Sequence, residues 1–347
     1  MIRVLVVEDS AVTREYLVYL LSESPSLEVI GTARDGLQAV EETARLKPDV
    51  ILMDVHMPRM DGYEATRQIM ERAPTPIVMI SASSSRDEAL KAFDALKAGA
   101  LTVMDKPRGP DHPNQAETVR KLIETVTLMA EVKVVRRWPR RERPAPPLQL
   151  PAQADRKIRL IAIGASTGGP QTIAEILAEL PNDLGVPIVL VQHIAVGFIT
   201  GLAEWLSLKT RLVVKLAQVG ESVMPGSVYI APESSQMGIT KDGRIRLTKD
   251  LPENGFCPSV SYLFRSVAEA YGRSAVGILL TGMGRDGADG LRLLREAGGV
   301  TIAQDEETSV IFGMPGEAVR LGAAEYVLSP EQVAGMISAL AGRPDRR

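Results

Sequence analysis

The sequence predicts an α/β protein made of two doubly wound parallel-sheet units joined by a proline- and arginine-rich connection. Three observations carry this. Short β-branched runs alternate with amphipathic helical stretches on both sides of one segment, the pattern of a parallel sheet with helices on its faces. The 347 residues exceed what a single hydrophobic core usually serves. Between the two alternating regions, Arg136 to Pro151 reads RRWPRRERPAPPLQLP, with five prolines, five arginines and neither helical nor strand periodicity. Proline at that density favours extended, semi-rigid polyproline II, so the segment is a linker. The units are accordingly bounded at 1–134 and 157–347, with 135–156 between them.

Taken in order, IRVLVVE, LEVIGTA, DVILMDV, PIVMISA and ALTVMDK are continuous apolar runs of strand length, as strands buried on both faces should be. TREYLVYLLSE, GLQAVEETARL, DGYEATRQIME and RDEALKAFDALKAG lie between them with helical spacing, and a last helix spans roughly Ala116 to Val132. After the linker come RLIAIG, a helix from Gln171, PIVLVQ, a helix near Thr200 to Leu206, VVKLA and SVYIAP. GITKDGRIRLTK predicts a β-hairpin turning at Asp242-Gly243. A helix from Val260 to Tyr271, then AVGILLT, GADGLRLLREA, GGVTIAQ, a helix near Glu317, AEYVLS and a final helix complete the second unit.

Composition narrows the function. Forty Lys plus Arg against forty-three Asp plus Glu give a net charge of −3, without the basic excess of a nucleic-acid binder. Prolines interleave the arginines of the linker and no aromatic series accompanies them, so that stretch does not reverse the conclusion. No helix-turn-helix pattern is apparent. A single cysteine, Cys257, excludes an intramolecular disulfide and a thiolate metal cage. The apolar run at the N-terminus turns acidic at Glu8-Asp9, too early for a signal peptide, and no stretch reaches membrane-spanning length. A cytoplasmic location is expected.

In open α/β sheets ligands lie beyond the carboxyl ends of the strands. In the first unit those ends carry Glu8-Asp9, Asp54, Ser81 and Lys106-Pro107. Three converging carboxylates repel unless a hard divalent cation such as Mg²⁺ takes them as oxygen ligands. Lys106 and Ser81 would then hold an anionic group built on Asp54, which points to transient phosphorylation of Asp54. In the second unit, Gly164-Ala165-Ser166-Thr167-Gly168-Gly169-Pro170 follows a strand and opens a helix, the context of a nucleophile elbow. Its G-x-x-x-G-G spacing does not suit a dinucleotide loop, which needs G-x-G-x-x-G. A serine nucleophile needs a base, and His193 at the end of PIVLVQ is the second unit's only histidine. Asp286, in the turn after AVGILLT, is a candidate to orient it, with Asp289 and Asp305 as competitors. The order Ser, His, Asp matches neither the α/β-hydrolases nor the classical serine proteases.

These motifs carry a resemblance. VVEDS, DVILMDVHMPRMDG, MISAS and MDKP make residues 1 to about 130 similar to a response-regulator receiver domain. IGASTGGP, VLVQHIAVGFITGLAEWL, VYIAP, LLTGMGRDGADGL and AQDEETSVIFGMPGEAV make residues 157 to 345 similar to a CheB-type methylesterase domain. The whole chain resembles the family of chemotaxis response-regulator protein-glutamate methylesterases. The resemblance implies Mg²⁺ on Glu8, Asp9 and Asp54, Asp54 as phospho-acceptor, and Ser81 and Lys106 as the switch pair. It implies Ser166 as nucleophile, His193 as base and Asp286 as orienter, with Thr167 and the Met283 backbone N–H holding substrate and oxyanion, and no cofactor for hydrolysis. The implied substrate is a methyl-accepting chemoreceptor, which supplies the only link to a membrane. The phosphodonor would be a histidine kinase, with phosphorylation relieving a block imposed by the receiver. Val103 departs from the aromatic that receivers often carry there, and His56 is expected to tune the lifetime of the phosphoryl group. Gly255-Phe256-Cys257-Pro258-Ser259-Val260-Ser261 departs from the family's His-Arg ahead of Pro-Ser-Val and the Asp after it. This exchanges a charged, hydrogen-bonding rim for an apolar, neutral one, leaves the triad intact, and leaves open which receptor the site accepts and how fast. The alternative reading is a phospho-switched partner-binding regulator with a catalytically silent hydrolase domain.

Overall fold

The computed structural model describes residues 1–81, 93–107, 109, 115–132, 134 and 157–341. They form two compact units that divide between the two alternating regions of the sequence. The proposed linker, the first half of the RDEALKAFDALKAG helix and the last six residues lie outside the described residues.

In the first unit the apolar runs become β1 (Ile2–Val7), β2 (Leu27–Ala33), β3 (Val50–Asp54), β4 (Ile77–Ser81) and β5 (Thr102–Asp105). The helices are α1 (Ala11–Ser22), α2 (Gly36–Leu46), α3 (Gly62–Arg72), α4 (described over 93–98) and α5 (Gln115–Ala130). All strands are parallel, in the order β2-β1-β3-β4-β5. Every residue of β3 and β4 is buried, which is why these stretches run in Val, Ile, Leu and Met up to their polar last residues, Asp54 and Ser81. Helix starts follow local chemistry. Asp35 accepts the Gln38 N–H at 2.9 Å and Asp61 the Glu64 N–H at 3.0 Å, capping α2 and α3. The strand order reverses between β1 and β3, so Glu8, Asp9 and Asp54 gather at the switch point.

The second unit is built on seven parallel strands: β6 (Leu160–Ala165), β7 (Ile188–Gln192), β8 (Val213–Leu216), β9 (Ser227–Ile230), β12 (Ala275–Leu279), β13 (Val300–Gln304) and β14 (Tyr326–Leu328). Their order is β14-β13-β12-β6-β7-β9-β8. The helices are α6 (Gly169–Glu179), α7 (Ile199–Ser207), α8 (Val260–Tyr271), α9 (Ala288–Glu296), α10 (Met314–Arg320) and α11 (Pro330–Ala341). The chain builds outward from β6 through β7 on one side and returns to β12 on the other, which places the switch point at β6. α6 begins two residues before the predicted Gln171 because Gly168 (φ +78°) makes the turn and Pro170 sits in the first turn, where its missing N–H costs nothing.

The predicted hairpin is β10 (Gln236–Ile239) against antiparallel β11 (Ile245–Thr248). It closes through a loop in which Thr240 and Arg244 pair and Gly243 takes φ +77°. The hairpin packs on α8, where Ser266 Oγ accepts the Ile239 N–H at 3.1 Å. No helix among the described residues is long and apolar enough to cross a membrane.

Candidate active site

In the first unit, Glu8, Asp9 and Asp54 each bring a carboxylate oxygen within 4.8 Å of the others. Glu8 and Asp54 are buried, and Asp9 is exposed. Lys106 Nζ lies 2.8 Å from both Glu8 Oε2 and Asp54 Oδ2. Burial drives the Glu8 and Asp54 carboxyls above the usual range, and Lys106 only partly opposes it. Burial alone would lower the Lys106 ammonium, but the two carboxylates outweigh it and raise its pKa. Ser81, at the end of β4, accepts the Lys106 N–H at 2.8 Å through its carbonyl, bringing the two strand ends together. The His56 N–H faces Asp54 Oδ1 at 3.4 Å. Arg14, which sequence reasoning did not single out, donates from α1 to the Glu8 carbonyl at 2.7 Å and the Asp9 carbonyl at 3.2 Å, bracing the acidic turn. The donor set consists of hard oxygens at a sheet's carboxyl edge, which suits a divalent cation of the Mg²⁺ type.

In the second unit, Ser166, His193 and Asp286 follow β6, β7 and β12, three adjoining strands. The Ser166 N–H donates to the Thr281 carbonyl at 3.0 Å and its carbonyl accepts from Gly169 N at 2.9 Å, which forms the sharp turn into α6. Gly282 allows the β12 loop to come this close, because a Cβ there would stand 2.7 Å from Ser166 Cβ. His193 Nε2 lies 3.0 Å from Asp286 Oδ2. The N–H direction misses that oxygen, and neither ring nitrogen has a hydrogen-bond partner among the described residues. Ser166 Oγ and His193 therefore sit on neighbouring strand ends without the hydrogen bond joining them, a common condition in ligand-free sites. Neither Thr167 nor Met283 uses its backbone N–H within the described chain.

Asp286 is nearly completely buried and surrounded by donors. Its carboxylate accepts from Ser259 Oγ at 2.8 Å, Val260 N at 2.7 Å, Ser261 N at 3.2 Å and Asn254 Nδ2 at 3.3 Å. Two of these are the first amides of α8, so the helix N-terminus adds its positive end. Burial alone would raise the Asp286 pKa. His193 beside it, the Val260 N–H and the Ser259 hydroxyl overcome that and hold it well below the usual carboxylate range. The competitors fall away: Asp305 caps its own turn through Thr308, and Asp289 lies exposed in the first turn of α9.

Gln192 was not legible in the sequence as part of the site. Its buried amide donates to the carbonyls of both Ser166 and His193 at 2.7 Å, clipping the elbow to the histidine loop. Gln192→Leu removes the side-chain donor from the His193 carbonyl and leaves the Ser166 carbonyl with the Gly169 N–H alone, and is expected to destabilise the second unit by about 1–3 kcal/mol, a loss that scanning calorimetry reads directly. The 255–261 departure is likewise more than a rim. Phe256 stacks on His193, while Ser259 caps α8 and donates to Asp286.

A receiver-like unit followed by an α/β unit with serine, histidine and buried aspartate at adjoining strand ends is the plan of a response regulator with a hydrolase output domain. Residues 4–118 match the response regulator receiver domain model, and residues 161–337 match the CheB methylesterase model. The chain belongs to the CheB methylesterase family. It is 52% identical over 344 residues to a protein-glutamate methylesterase/protein-glutamine glutaminase 4 of Geobacter metallireducens, covering 98% of this chain and 99% of that relative. It is 51% identical to a protein-glutamate methylesterase/protein-glutamine glutaminase of Nitrosospira multiformis, covering 98% and 97%. The crystal structure of the Thermotoga maritima CheB methylesterase catalytic domain superposes with a TM-score of 0.51 at 38% identity, over 53% of this chain and 98% of that one.

Proposed function

We propose that the chain is a phosphorylation-activated serine hydrolase that cleaves γ-glutamyl methyl esters on a chemoreceptor and deamidates receptor glutamines. The observation that carries this reading is the buried, multiply donated Asp286 carboxylate 3.0 Å from the His193 ring, one strand away from the Ser166 elbow. Ser166 Oγ attacks the ester carbonyl while His193 takes its proton, and the tetrahedral oxyanion is held by the free N–H groups of Thr167 and Met283. Collapse of that intermediate expels methoxide, which takes the proton from the imidazolium and leaves as methanol. Water activated by the same imidazole then releases the glutamate carboxylate and regenerates Ser166. With a glutamine substrate the leaving group is ammonia. Asp286 orients the imidazole and offsets its charge.

In the receiver, Asp54 accepts a phosphoryl group from a histidine kinase and Lys106 and Ser81 engage its oxygens. Glu8, Asp9 and Asp54 would hold Mg²⁺, which supplies charge neutralisation for the transfer. The phosphoryl group draws Lys106 away from its present carboxylate partners, a local charge change of the kind that biases a two-state unit. The chain acts in the cytoplasm and meets the membrane only through its receptor substrate.

The test is methanol release from radiolabelled methylated receptor membranes, with and without a small-molecule phosphodonor. A coupling of about 1–3 kcal/mol corresponds to stimulation of roughly 5- to 150-fold. In Asp54→Asn that stimulation is expected to vanish while the unstimulated rate persists. An unchanged stimulation would remove Asp54 from the switch. Normal labelling of Asp54 with no methanol from any methylated receptor would favour the binding-regulator reading.

A further inference from the structure

The His193 and Phe256 rings stack with centroids 4.0 Å apart and planes within 2° of parallel. We propose that Phe256 is the positioning residue that sets the plane of the His193 imidazole, an inference that rests on the hydrolase reading above. The torsion that rotates a histidine ring about its Cβ–Cγ bond is broad and must be fixed from outside. In this site the contact with Asp286 anchors one edge of the ring but does not by itself fix its plane. The Nε2–Asp286 approach is misaligned and neither ring nitrogen has a hydrogen-bond partner among the described residues. The phenyl face supplies what is missing, since rotating the imidazole out of parallel drives a ring edge into Phe256. Phe256 has no ionisable or hydrogen-bonding side-chain atom, so it acts through His193 and takes no part in proton transfer.

Phe256 is itself held from several directions. Its N–H and carbonyl pair with Glu253 at 2.9 and 3.0 Å, closing a turn through Asn254 (φ +55°) and Gly255 (φ +84°). Arg265 grips Glu253 with two bonds at 2.7 and 2.5 Å. Gln236, fully buried on β10, donates to the Phe256 carbonyl at 3.0 Å. Its other amide atom accepts the Ser259 N–H at 2.8 Å, and the Ser259 hydroxyl donates to Asp286. One buried amide thus places both the ring stacked on the base and a hydroxyl bound to the acid. The neutral 255–261 segment orients the catalytic pair, beyond shaping substrate access.

The experiment measures methanol release by the full-length, phosphodonor-activated chain. Phe256→Ala and Phe256→Leu are both expected to lower kcat roughly 10- to 100-fold, the usual cost of a misplaced catalytic group, with KM within about twofold of wild type. Leucine restores apolar volume without a flat face. Phe256→Tyr and Phe256→Trp, which keep the face, are expected to recover most of the rate. Unchanged kcat in Ala and Leu, or full recovery in Leu, would overturn the proposal, the latter by showing that volume alone matters. If wild type released no methanol, the functional reading would fall by itself. The rate of Ser166 labelling by a fluorophosphonate, which needs the base but no receptor, then decides the matter: slow labelling in Ala and Leu supports positioning, and equal labelling refutes it.

Discussion

Ser166→Ala is expected to lower methanol release by about 10⁴-fold or more, leaving the folded chain and the phosphorylation of Asp54 intact. The effect is large because the chain's one thiol cannot stand in for the Ser166 hydroxyl. Cys257, the chain's single thiol, is pushed up by burial and by the Asp250 charge, so it stays protonated at neutral pH and is a poor nucleophile. The fold tolerates the change because the turn at Ser166 is held by backbone bonds to Thr281, Gly169 and Gln192 rather than by its hydroxyl. Methanol release and incorporation of phosphate into Asp54, measured on one preparation, separate the two. Alanine retaining even a tenth of the wild-type rate would refute the serine mechanism.

Asp286→Asn is expected to cost about 10³- to 10⁴-fold in kcat and, unlike the serine change, to destabilise the fold. The buried carboxylate accepts from Ser259, Val260, Ser261 and Asn254. An amide must turn an NH₂ towards groups that themselves donate, which leaves buried donors unpaired at about 1–3 kcal/mol each. Scanning calorimetry should show a total loss of about 3–5 kcal/mol, the range for breaking a buried charged network. The pH dependence has a definite sign. Because the folded-state pKa of Asp286 is depressed, its contribution is present above the unfolded-state value, near pH 4, and declines as pH falls below it towards the folded value. Wild type therefore loses stability with acid more steeply than the Asn variant, whose side chain does not titrate.

Much of this was legible along the chain. Continuous apolar runs marked β3, β4, β6, β7 and β12, because a strand buried on both faces of a parallel sheet has no polar alternation to disguise it. Glu8, Asp54, Ser81, Lys106, Ser166 and His193 stood out because each directly follows or ends such a run. The hairpin turn at Asp242-Gly243 was readable from its dipeptide and the helix over Val260–Tyr271 from its periodicity, whereas its Ser259 cap emerged from the structure.

The sequence alone determined the two-unit α/β plan, the strand ends that carry polar groups, and the elbow, since each depends on residues within a few positions of one another. Tertiary structure decided which aspartate meets His193, that Gln192 joins the elbow to the histidine loop, that Gln236 and Ser259 serve the acid, and that Phe256 lies flat on the base. Those contacts join β6, β7, β10, β12 and the N-terminus of α8, elements far apart in the chain. They are brought together by strand order and by the packing of the hairpin on α8, which sum many weak interactions across the fold. No local stretch encodes that sum, so the residues that tune the site emerged only once the sheet was assembled.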